Sequence, residues 1–405
     1  MLLCSAARAA KTEQVKVDLT KLADPVEYRA SGFLHSIIPT DPPDNLIAPL
    51  KPKLFRLRPS GKDDAFQLYP RVTKFGAVLQ IVLSDSYTNY KPPFPGDNGD
   101  FSRWETHVTN ILRRAMAAKM KVEWDLWNEP DNEYFWKPPP QQFLETWKRT
   151  HKLVRKLDPK STIVGPSLSN RKTHALKLEK FLLYAKANNC LPDVLAWHQW
   201  NGNVVESVDE VKGFMKANDI KITRISLNEI VAGAHMFKPG HLPRYFAEIE
   251  RAGVESAAHA CWPEENGVNN CDNASLDGLL THDTKQPRAT WHVYAAYGRM
   301  TGKLASVTRS STVDGLATME QDKVTILLGR FKEGTDAVEI QFTGGQTLRR
   351  DNKIHVRMDR IANTGTSEMK SPTKTMDEDR PATAPIPLAD FGSNDAFVIT
   401  LTRPQ

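Results

Sequence analysis

The stretch VEWDLWNEP, residues 122–130, places a short apolar and aromatic run directly ahead of the polar motif Asn128-Glu129-Pro130. The apolar part has the length of a buried β-strand, and the polar part follows where that strand should end. Seven further runs of this kind occur along the chain, at 28–37, 54–59, 77–84, 162–169, 193–201, 222–230 and 255–264. The sequence therefore predicts eight strands within one continuous stretch.

Amphipathic segments separate most of these runs, with apolar residues three and four positions apart as on one face of a helix. These segments lie at 105–119, 141–157, 176–188, 208–218, 243–253 and 288–302. Only the first connection, DNLIAPLK at 44–51, is short and proline-containing. Eight strand–helix units predict an α/β fold of the (β/α)₈ TIM barrel type over residues 30–302. A doubly wound sheet would show about five or six units and a glycine-rich phosphate motif.

The composition changes after Gly302. Alternating segments such as DKVTILLGRF (322–331) and KIHVRMDRI (353–361), punctuated by Gly, Asn and Pro, predict a C-terminal β-sandwich accessory domain over 303–405. Within it, the polar and proline-rich segment 364–387 is predicted to be a long loop or crossover.

The N-terminal segment predicts two features. QVKVDLT predicts a strand within residues 15–29 that joins the β-domain. Residues 1–14 combine a short apolar patch with small residues and predict a signal remnant or a disordered tail, hence a secreted or periplasmic protein. A bridge between Cys261 and Cys271 would fit that compartment, and two reduced thiols are the open alternative.

Several classes of function are disfavoured. The chain has 54 basic and 48 acidic residues, a mild excess for 405 residues, without a Lys/Arg stripe interleaved with aromatics, so no nucleic-acid partner is predicted. No apolar run approaches the roughly 20 residues of a membrane-spanning helix, so no membrane insertion is predicted. The four cysteines lack zinc-site spacing, and we predict no metal and no other cofactor. The oligomeric state stays open.

Two glutamates occupy the positions where barrel chemistry is expected. Functional side chains of such barrels lie at the carboxyl ends of the strands. Glu129 ends the fourth predicted strand and Glu229 the seventh, so both carboxylates should face one opening. Glycosidic cleavage needs such a pair, one protonating the leaving oxygen and the other attacking the anomeric carbon when the two are about 5–5.5 Å apart. The alternative for Glu229 alone is a solvated or salt-bridged side chain.

The longer string WNEPDNEYFW, residues 127–136, followed by a helix and then STIVGPSLS at 161–169, resembles the clan A glycoside hydrolases. The closest likeness is to glycoside hydrolase family 39, the group of β-xylosidases, α-L-iduronidases and related endoglycosidases. The resemblance covers the eight strands and, more loosely, the C-terminal β-domain. It implies a retaining glycosidase in which Glu129 is the acid/base, Asn128 binds the sugar 2-hydroxyl and Glu229 is the nucleophile. The chain departs from the family at Ile230, where an aromatic residue is common.

Other polar residues are expected to tune these two carboxylates. The pKa of Glu129 should be raised by desolvation beside aromatic residues and by the nearby charge of Glu229. Arg56 and His198 are the predicted donors that keep Glu229 ionised, and alternation in LFRLRP favours Arg56 over Arg58. A structural ion pair is the alternative for Arg56. His198 and His35 are expected to touch substrate, and a packed core position is the alternative for both.

Aromatic and acidic residues near the strand ends complete the candidates. Sugar rings stack on aromatic faces, which predicts Trp200, Trp262, Trp136 and Tyr134 as platforms, with ordinary packing as the alternative. Glu264, followed by Glu265, comes after the eighth strand and inside the loop between Cys261 and Cys271, where surface display or substrate selection is favoured over chemistry.

The predicted function is cleavage of an oligo- or polysaccharide by double displacement. Two other functions stay open: a non-catalytic carbohydrate-binding barrel, and a metal-dependent barrel hydrolase, which would need a cluster of His and Asp ligands. The identity of the sugar and endo or exo action cannot be deduced from these motifs.

Overall fold

The computed structural model describes residues 12–334 and 337–405. Residues 1–11 of the predicted tail at 1–14 therefore lie outside the described residues. The chain divides into two compact units. The first comprises Tyr28–Met236 and Glu248–Lys285, and the second comprises the chain up to Glu27 with Phe237–Ala247 and Gln286–Gln405. Within the part of the chain that is described, no helix has the length and apolar character needed to span a bilayer.

Strand β1 (Glu13–Pro25) belongs to the second unit, and the first unit contains a closed barrel of eight parallel strands. Each barrel strand pairs with the next one along the chain, and the first pairs with the last. The barrel strands are β2 (Gly32–Leu34), β3 (Leu54–Leu57), β4 (Val78–Val82), β5 (Glu123–Asp125), β6 (Thr162–Leu168), β7 (Val194–Gln199), β8 (Arg224–Ile230) and β9 (Ser256–His259). Each lies inside one of the eight predicted runs, so the predicted barrel is confirmed.

Helices lie between most of the strands. They are α1 (Asp44–Ile47), α2 (Ala65–Lys74), α3 (Ser102–Ala117), α4 (Pro140–Leu157), α5 (Leu178–Ala187), α6 (Val204–Ala217), α7 (Leu242–Ala252) and α8 (Ala289–Gly298). Helix α2 is absent from the predicted set because Pro70 interrupts its helical pattern. The side chain of Asp64 nevertheless caps this helix by accepting a hydrogen bond from the backbone N–H of Phe66 at 2.9 Å.

The barrel strands are buried on both faces, as parallel strands in barrels are. All six residues of β7, VLAWHQ, are buried. The seam between β2 and β9 requires glycine, because a Cβ atom at Gly32 would lie 2.4 Å from the carbonyl oxygen of Ala257. A side chain at this position would therefore force the backbone of the seam to shift.

Three barrel strands are irregular near their carboxyl ends. The pairing register shifts after Pro166 in β6, after Ala196 in β7 and after Leu227 in β8. Such bulges bend a strand and redirect the side chains beyond them. Beyond the shift between β7 and β8, His198 lies opposite Glu229.

The second unit contains one continuous, curled sheet of nine strands, in the order β15-β14-β17-β12-β11-β10-β1-β13-β16. Every neighbouring pair is antiparallel except β1 and β13. The strands that follow β9 are β10 (Lys303–Thr308), β11 (Val313–Glu320), β12 (Lys323–Arg330), β13 (Val338–Thr343), β14 (Lys353–Ile361), β15 (Thr373–Pro381), β16 (Ile386–Leu388) and β17 (Ala396–Thr402). The predicted β-rich accessory domain is confirmed.

One apolar cluster forms the core of this sheet. Val15, Val17 and Leu19 of β1 are buried at alternate positions and belong to the cluster together with residues of seven other strands, β10 to β14, β16 and β17. Strand β1 is an inner strand, hydrogen-bonded to β10 on one side and to β13 on the other.

Strand β15 corrects the prediction of a loop over 364–387. This strand pairs with β14 and lies at one edge of the sheet, and most of its residues are exposed. An exposed edge strand needs no apolar face, and charged side chains on it discourage pairing with another chain. Its polar sequence, TKTMDEDRP, is therefore that of an edge strand.

Candidate active site

A cavity of about 640 Å³ opens where the barrel strands end. Its walls come from the segments that follow different strands, which is where the active sites of such barrels lie. The polar residues that line it include His35, Arg56, Arg58, Asp85, Asn89, Asn128, Glu129, Asn132, Glu229 and Asp272. The aromatic residues that line it are Tyr90, Tyr134, Phe135, Trp200 and Trp262.

The two predicted catalytic carboxylates, Glu129 and Glu229, line this cavity together. One ligand atom from each of Glu129, His198 and Glu229 lies within 4.8 Å of the other two. That separation fits the spacing of about 5–5.5 Å at which one carboxylate attacks while the other donates a proton. Glu129 is 7% exposed and Glu229 is 9% exposed, so their charges interact through protein rather than through bulk water.

Glu229 is held by an arginine at the base of the cavity. Its Oε1 accepts a hydrogen bond from Nη1 of Arg56 at 2.8 Å. The same guanidinium donates from Nε to Asp125 at 2.9 Å and from Nη2 to Asn128 Oδ1 at 2.8 Å, and Arg56 is only 1% exposed. Burial raises the pKa of Glu229, and the charges of His198 and Arg56 oppose that rise.

A buried hydrogen-bond network fixes this arginine from behind. Asp125 accepts from Ser167 Oγ at 2.8 Å and from Asn228 Nδ2 at 2.9 Å, and Asn228 also donates to Ser167 Oγ at 2.8 Å. Ser167 has a φ of 56°, a left-handed conformation that non-glycine residues seldom adopt. Because three nitrogens of the buried Arg56 guanidinium are bonded, and Asp125 is itself held by Ser167 and Asn228, the guanidinium has one fixed orientation.

Glu129 is held by a histidine and an amide. Its Oε1 lies 2.8 Å from Nδ1 of His198, and its Oε2 accepts from Asn132 Nδ2 at 2.7 Å. Glu129 has a φ of 44°, another strained conformation of the kind found at functional sites. Burial alone would raise the pKa of Glu129, but the hydrogen bonds from His198 and Asn132 outweigh it and lower that pKa. The predicted rise is thus corrected: desolvation is the largest single influence on the pKa of this carboxyl group, but His198, Asn132 and Arg56 together outweigh it.

A second charged group lies on the cavity wall around His35. Its Nδ1 is 2.7 Å from Asp63 Oδ2 and its Nε2 is 3.1 Å from Asp85 Oδ2. Burial and Arg58 would lower the pKa of His35, but the two carboxylates outweigh them and raise it. Arg58 donates from Nη1 to Asp63 at 2.9 Å and to Asp272 at 3.0 Å.

Tryptophans form part of the cavity wall. Trp200 and Trp262 lie edge to face with ring centroids 5.1 Å apart, and their indole N–H groups donate to the backbone oxygens of Ser169 and Val231. Tyr134 also lines the cavity and is 73% exposed. All three are placed where a sugar ring could stack, which stays a prediction.

Three sequence-predicted residues lie elsewhere. Trp136 is 3% exposed and packs edge to face against Trp127, outside the cavity lining, which corrects its prediction as a platform. Glu264 is buried within its own loop, where its carboxylate accepts from Asn270 Nδ2 at 3.3 Å, and it does not line the cavity. His198 lies behind Glu129 rather than on this cavity's surface.

Cys261 and Cys271 form a disulfide bond, which settles the alternative that the sequence leaves open. Both residues line the cavity. The closed loop between them also contains Asn269, another lining residue, and Asp272 follows it directly. The bridge therefore restrains the part of the wall that carries the Asp272 carboxylate.

Among the described residues, Glu129, His198 and Glu229 form the one cluster whose donor atoms are close enough to hold a metal ion. Two features disfavour that use. Nη1 of Arg56 is already 2.8 Å from Glu229 and would repel a second cation there, and Nδ1 of His198 is engaged by Glu129. The donor set therefore fits a carboxylate pair better than a metal site.

Neither a family model nor a curated protein sequence matches the chain. Solved structures do. A protein named N2152 from Neocallimastix frontalis superposes with a TM-score of 0.85 at 24% identity, covering 97% of this chain and 100% of that one. A monomeric β-xylosidase from Caulobacter crescentus CB15 superposes with a TM-score of 0.69 at 14% identity, with coverage of 97% and 100%.

Two further solved structures carry family names. A family 39 β-xylosidase from Caulobacter crescentus gives a TM-score of 0.65 at 16% identity, covering 96% of this chain and 100% of that one. A family 30 endoxylanase from Clostridium papyrosolvens gives 0.59 at 12%, with the same coverage. The chain has the fold of clan A glycoside hydrolases. The resemblance that the sequence indicates is thereby confirmed at the level of fold.

Sequence reasoning missed several residues of the cavity. Asp85 lies three residues after the end of β4, so the strand-end rule that finds Glu129 would also have found it. Asn132 lies three residues after Glu129, on the turn that its side chain stabilises. Asp63 and Asp272 gave no such signal, because they come from loops whose path cannot be deduced from spacing.

Proposed function

We propose that the chain is a retaining glycoside hydrolase, with Glu229 as nucleophile and Glu129 as general acid/base. The observation that carries the proposal is a pair of buried carboxylates, with one oxygen of Glu129 within 4.8 Å of one oxygen of Glu229. Glu229 is bonded to the guanidinium of Arg56, and Glu129 to the imidazole of His198. Each partner suits its role, because arginine stabilises an anion permanently and histidine can carry a proton near neutral pH.

In the first step the carboxylate of Glu229 attacks the anomeric carbon as the glycosidic C–O bond breaks. The leaving oxygen takes a proton from Glu129, and a glycosyl ester on Glu229 results. In the second step water attacks the anomeric carbon, its proton goes to Glu129, and the C–O bond to Glu229 breaks. Two displacements at one carbon leave the configuration unchanged.

His198 sets the proton affinity of Glu129. Burial lowers the pKa of His198, but the charges of Glu229 and Glu129 outweigh burial and raise it. The contact of 2.8 Å between its Nδ1 and Glu129 Oε1 in turn lowers the pKa of Glu129. Weakening of this contact when the glycosidic oxygen binds beside Glu129 would let that carboxyl group hold the proton that it donates.

The remaining groups position the sugar. Asn128 presents its amide Nδ2 to substrate because its Oδ1 accepts from Arg56 at 2.8 Å, which fits a donor to the 2-hydroxyl. The cavity of about 640 Å³ suits an oligosaccharide end or segment. The solved structures named above as β-xylosidases and an endoxylanase support glycoside cleavage as the reaction class.

Azide rescue tests the two roles separately. In Glu229→Ala, azide replaces the nucleophile and attacks opposite the leaving group, so we expect a glycosyl azide of inverted configuration from an activated aryl glycoside. In Glu129→Ala, azide replaces water at the second step and should give a glycosyl azide of retained configuration. Wild-type hydrolysis by Glu229→Ala, or the same azide anomer from both variants, would contradict the assignment.

We also propose that the protein works in an oxidising compartment, outside the cytoplasm. The Cys261–Cys271 bridge supports this, since disulfides persist where thiols are not kept reduced. Fractionation of the native cells should place the protein in the medium or an extracytoplasmic fraction, and recovery only from the cytosol would contradict it.

A further inference from the structure

We infer that the cavity takes an uncharged glycosyl unit beside Glu229 and excludes a uronic acid there. The inference rests on the proposed function and narrows its substrate class. The cationic side chains of the cavity are already paired with carboxylates, and further carboxylates surround them.

A uronate carboxylate needs an available cation or several free N–H donors, because an unpaired charge is costly to desolvate. Among the described residues that line the cavity, the cationic side chains are Arg56, Arg58 and the titratable His35. Arg56 is fully committed: its three nitrogens donate to Asp125, Glu229 and Asn128, and it is buried.

The other two cations are also paired. Arg58 lies between Asp63 and Asp272, with Nη1 2.9 Å from one carboxylate and 3.0 Å from the other. His35 lies between Asp63 and Asp85, at 2.7 Å and 3.1 Å. Each cation thus meets two carboxylates, and none carries uncompensated positive charge into the cavity.

The carboxylates exceed the cations. Asp85, Glu129, Glu229 and Asp272 line the cavity, and Asp63 and Asp125 lie directly behind it, which makes six carboxylates. With His198, which lies behind Glu129 and is engaged by it, the cationic and titratable basic groups number four. A uronate would therefore bring a negative charge next to negative charges, and such like-charge contact is strongly unfavourable. Hydroxyl groups are donors as well as acceptors, so a neutral sugar can donate to Asp85 and Asp272.

Asp272 is the solvent-exposed carboxylate that neutralises part of the charge of Arg58. Its side chain is 47% exposed, whereas that of Asp63 is 2% exposed. Replacing Asp272 by Asn removes one negative charge and leaves the buried Asp63–Arg58 pair intact. Arg58 would then be paired with Asp63 alone, so the cavity wall would carry one negative charge fewer and would repel a uronate less.

The test compares aryl glycosides that differ only at C6, such as 4-nitrophenyl glucoside and glucuronide, with galacto-configured pairs and both anomers. For each pair we expect wild-type kcat/KM on the neutral member to exceed that on the uronide by at least about tenfold. Asp272→Asn should raise the uronide-to-neutral ratio by about tenfold. The control Asp283→Asn has the same charge change on an exposed carboxylate outside the cavity lining, and should leave the ratio unchanged.

Failure of the inference is distinguishable from failure of the proposed function. Uronides hydrolysed as well as their neutral partners, or equal shifts in both variants, would overturn the inference while leaving hydrolysis established. If no glycoside is hydrolysed, quenching of tryptophan fluorescence by gluco-oligosaccharides and by their C6-oxidised counterparts tests it independently. Tighter binding of the neutral series supports the inference without catalysis, and equal or tighter binding of the oxidised series overturns it.

Discussion

At the residue scale, the function of the site depends on which neighbour each glutamate has. Glu229 faces the permanent charge of Arg56, and Glu129 faces a histidine that can gain and lose a proton. His198 lies 2.8 Å from Glu129 and 3.7 Å from Glu229, so it influences both carboxylates. Removing the imidazole should therefore change the pH dependence more than it changes folding.

We predict that His198→Gln shifts the pH profile of kcat/KM to higher pH by about one unit, together with a lower maximum. The sign follows from the two carboxylates. Burial raises the pKa of Glu229 and His198 opposes that rise, so without the imidazole this pKa increases and the acid limb moves up. The pKa of Glu129 is held down by the His198 hydrogen bond against burial, so it also rises.

The matched control is His282→Gln, at a half-exposed histidine outside the cavity lining. It should leave the profile in place. A profile for His198→Gln that keeps the wild-type limbs, or moves to lower pH, would show that His198 does not set these pKa values.

The sequence alone predicts the site residues whose role depends on a local motif, and it misses those whose role depends on contacts with distant parts of the chain. Glu129 is carried by its own motif, and Glu229 by the strand count that puts it at the mouth of the barrel. Trp136 follows a strand end, as a cavity residue should, but its side chain packs against Trp127. A position after a strand end does not fix the direction of the side chain. The partners of Arg56 come from the ends of two other strands, β5 and β8, so only the folded chain reveals them.

At the element scale, the barrel depends on close backbone approach at its seam. We predict that Gly32→Ala lowers the free energy of unfolding by about 1–3 kcal/mol, because the new methyl group would meet the Ala257 carbonyl oxygen at 2.4 Å. Denaturant unfolding monitored by circular dichroism measures the change.

Helix α6 offers the matched control for this substitution. Gly213 is exposed, lies inside the helix and has no atom within 4 Å of an added Cβ. Gly213→Ala should raise the free energy of unfolding by about 0.5–1 kcal/mol, since alanine loses less conformational entropy in a helix. Equal effects of the two substitutions, or a stabilising Gly32→Ala, would contradict the described packing of the seam.

The elements that the sequence predicted poorly share a physical cause. Helix α2 contains a proline, and strand β15 is so polar that its period-2 pattern has no apolar face. Both depend on hydrogen bonds that a hydrophobic pattern does not contain: β15 pairs with β14, and Asp64 caps the first turn of α2. The eight barrel strands were predictable because buried parallel strands are nearly continuous apolar runs.

At the scale of the whole molecule, the sheet of the second unit includes a strand from far away in the sequence, the N-terminal strand β1. Strand β1 lies between β10 and β13 and contributes Val15, Val17 and Leu19 to the core of that unit. Its loss would leave two strand edges without hydrogen-bond partners and open the core to water.

We therefore predict that a chain starting at Val26 is insoluble or melts at least about 5 °C below the full-length protein. A chain starting at Thr12 keeps every described contact of β1 and should melt with the full-length protein. Thermal denaturation of the three soluble fractions gives the comparison. A chain lacking β1 that melts unchanged would mean that the sheet does not need this strand.

The central claim is that Glu129 and Glu229 cleave a glycosidic bond in two displacements, and the anomer released first tests it most directly. Proton NMR during hydrolysis of the best aryl glycoside from the panel follows the anomeric signal before mutarotation obscures it. We predict a first product with the anomeric configuration of the substrate. A first product of the opposite configuration would show a single displacement by water and would contradict the assignment of Glu229 as nucleophile.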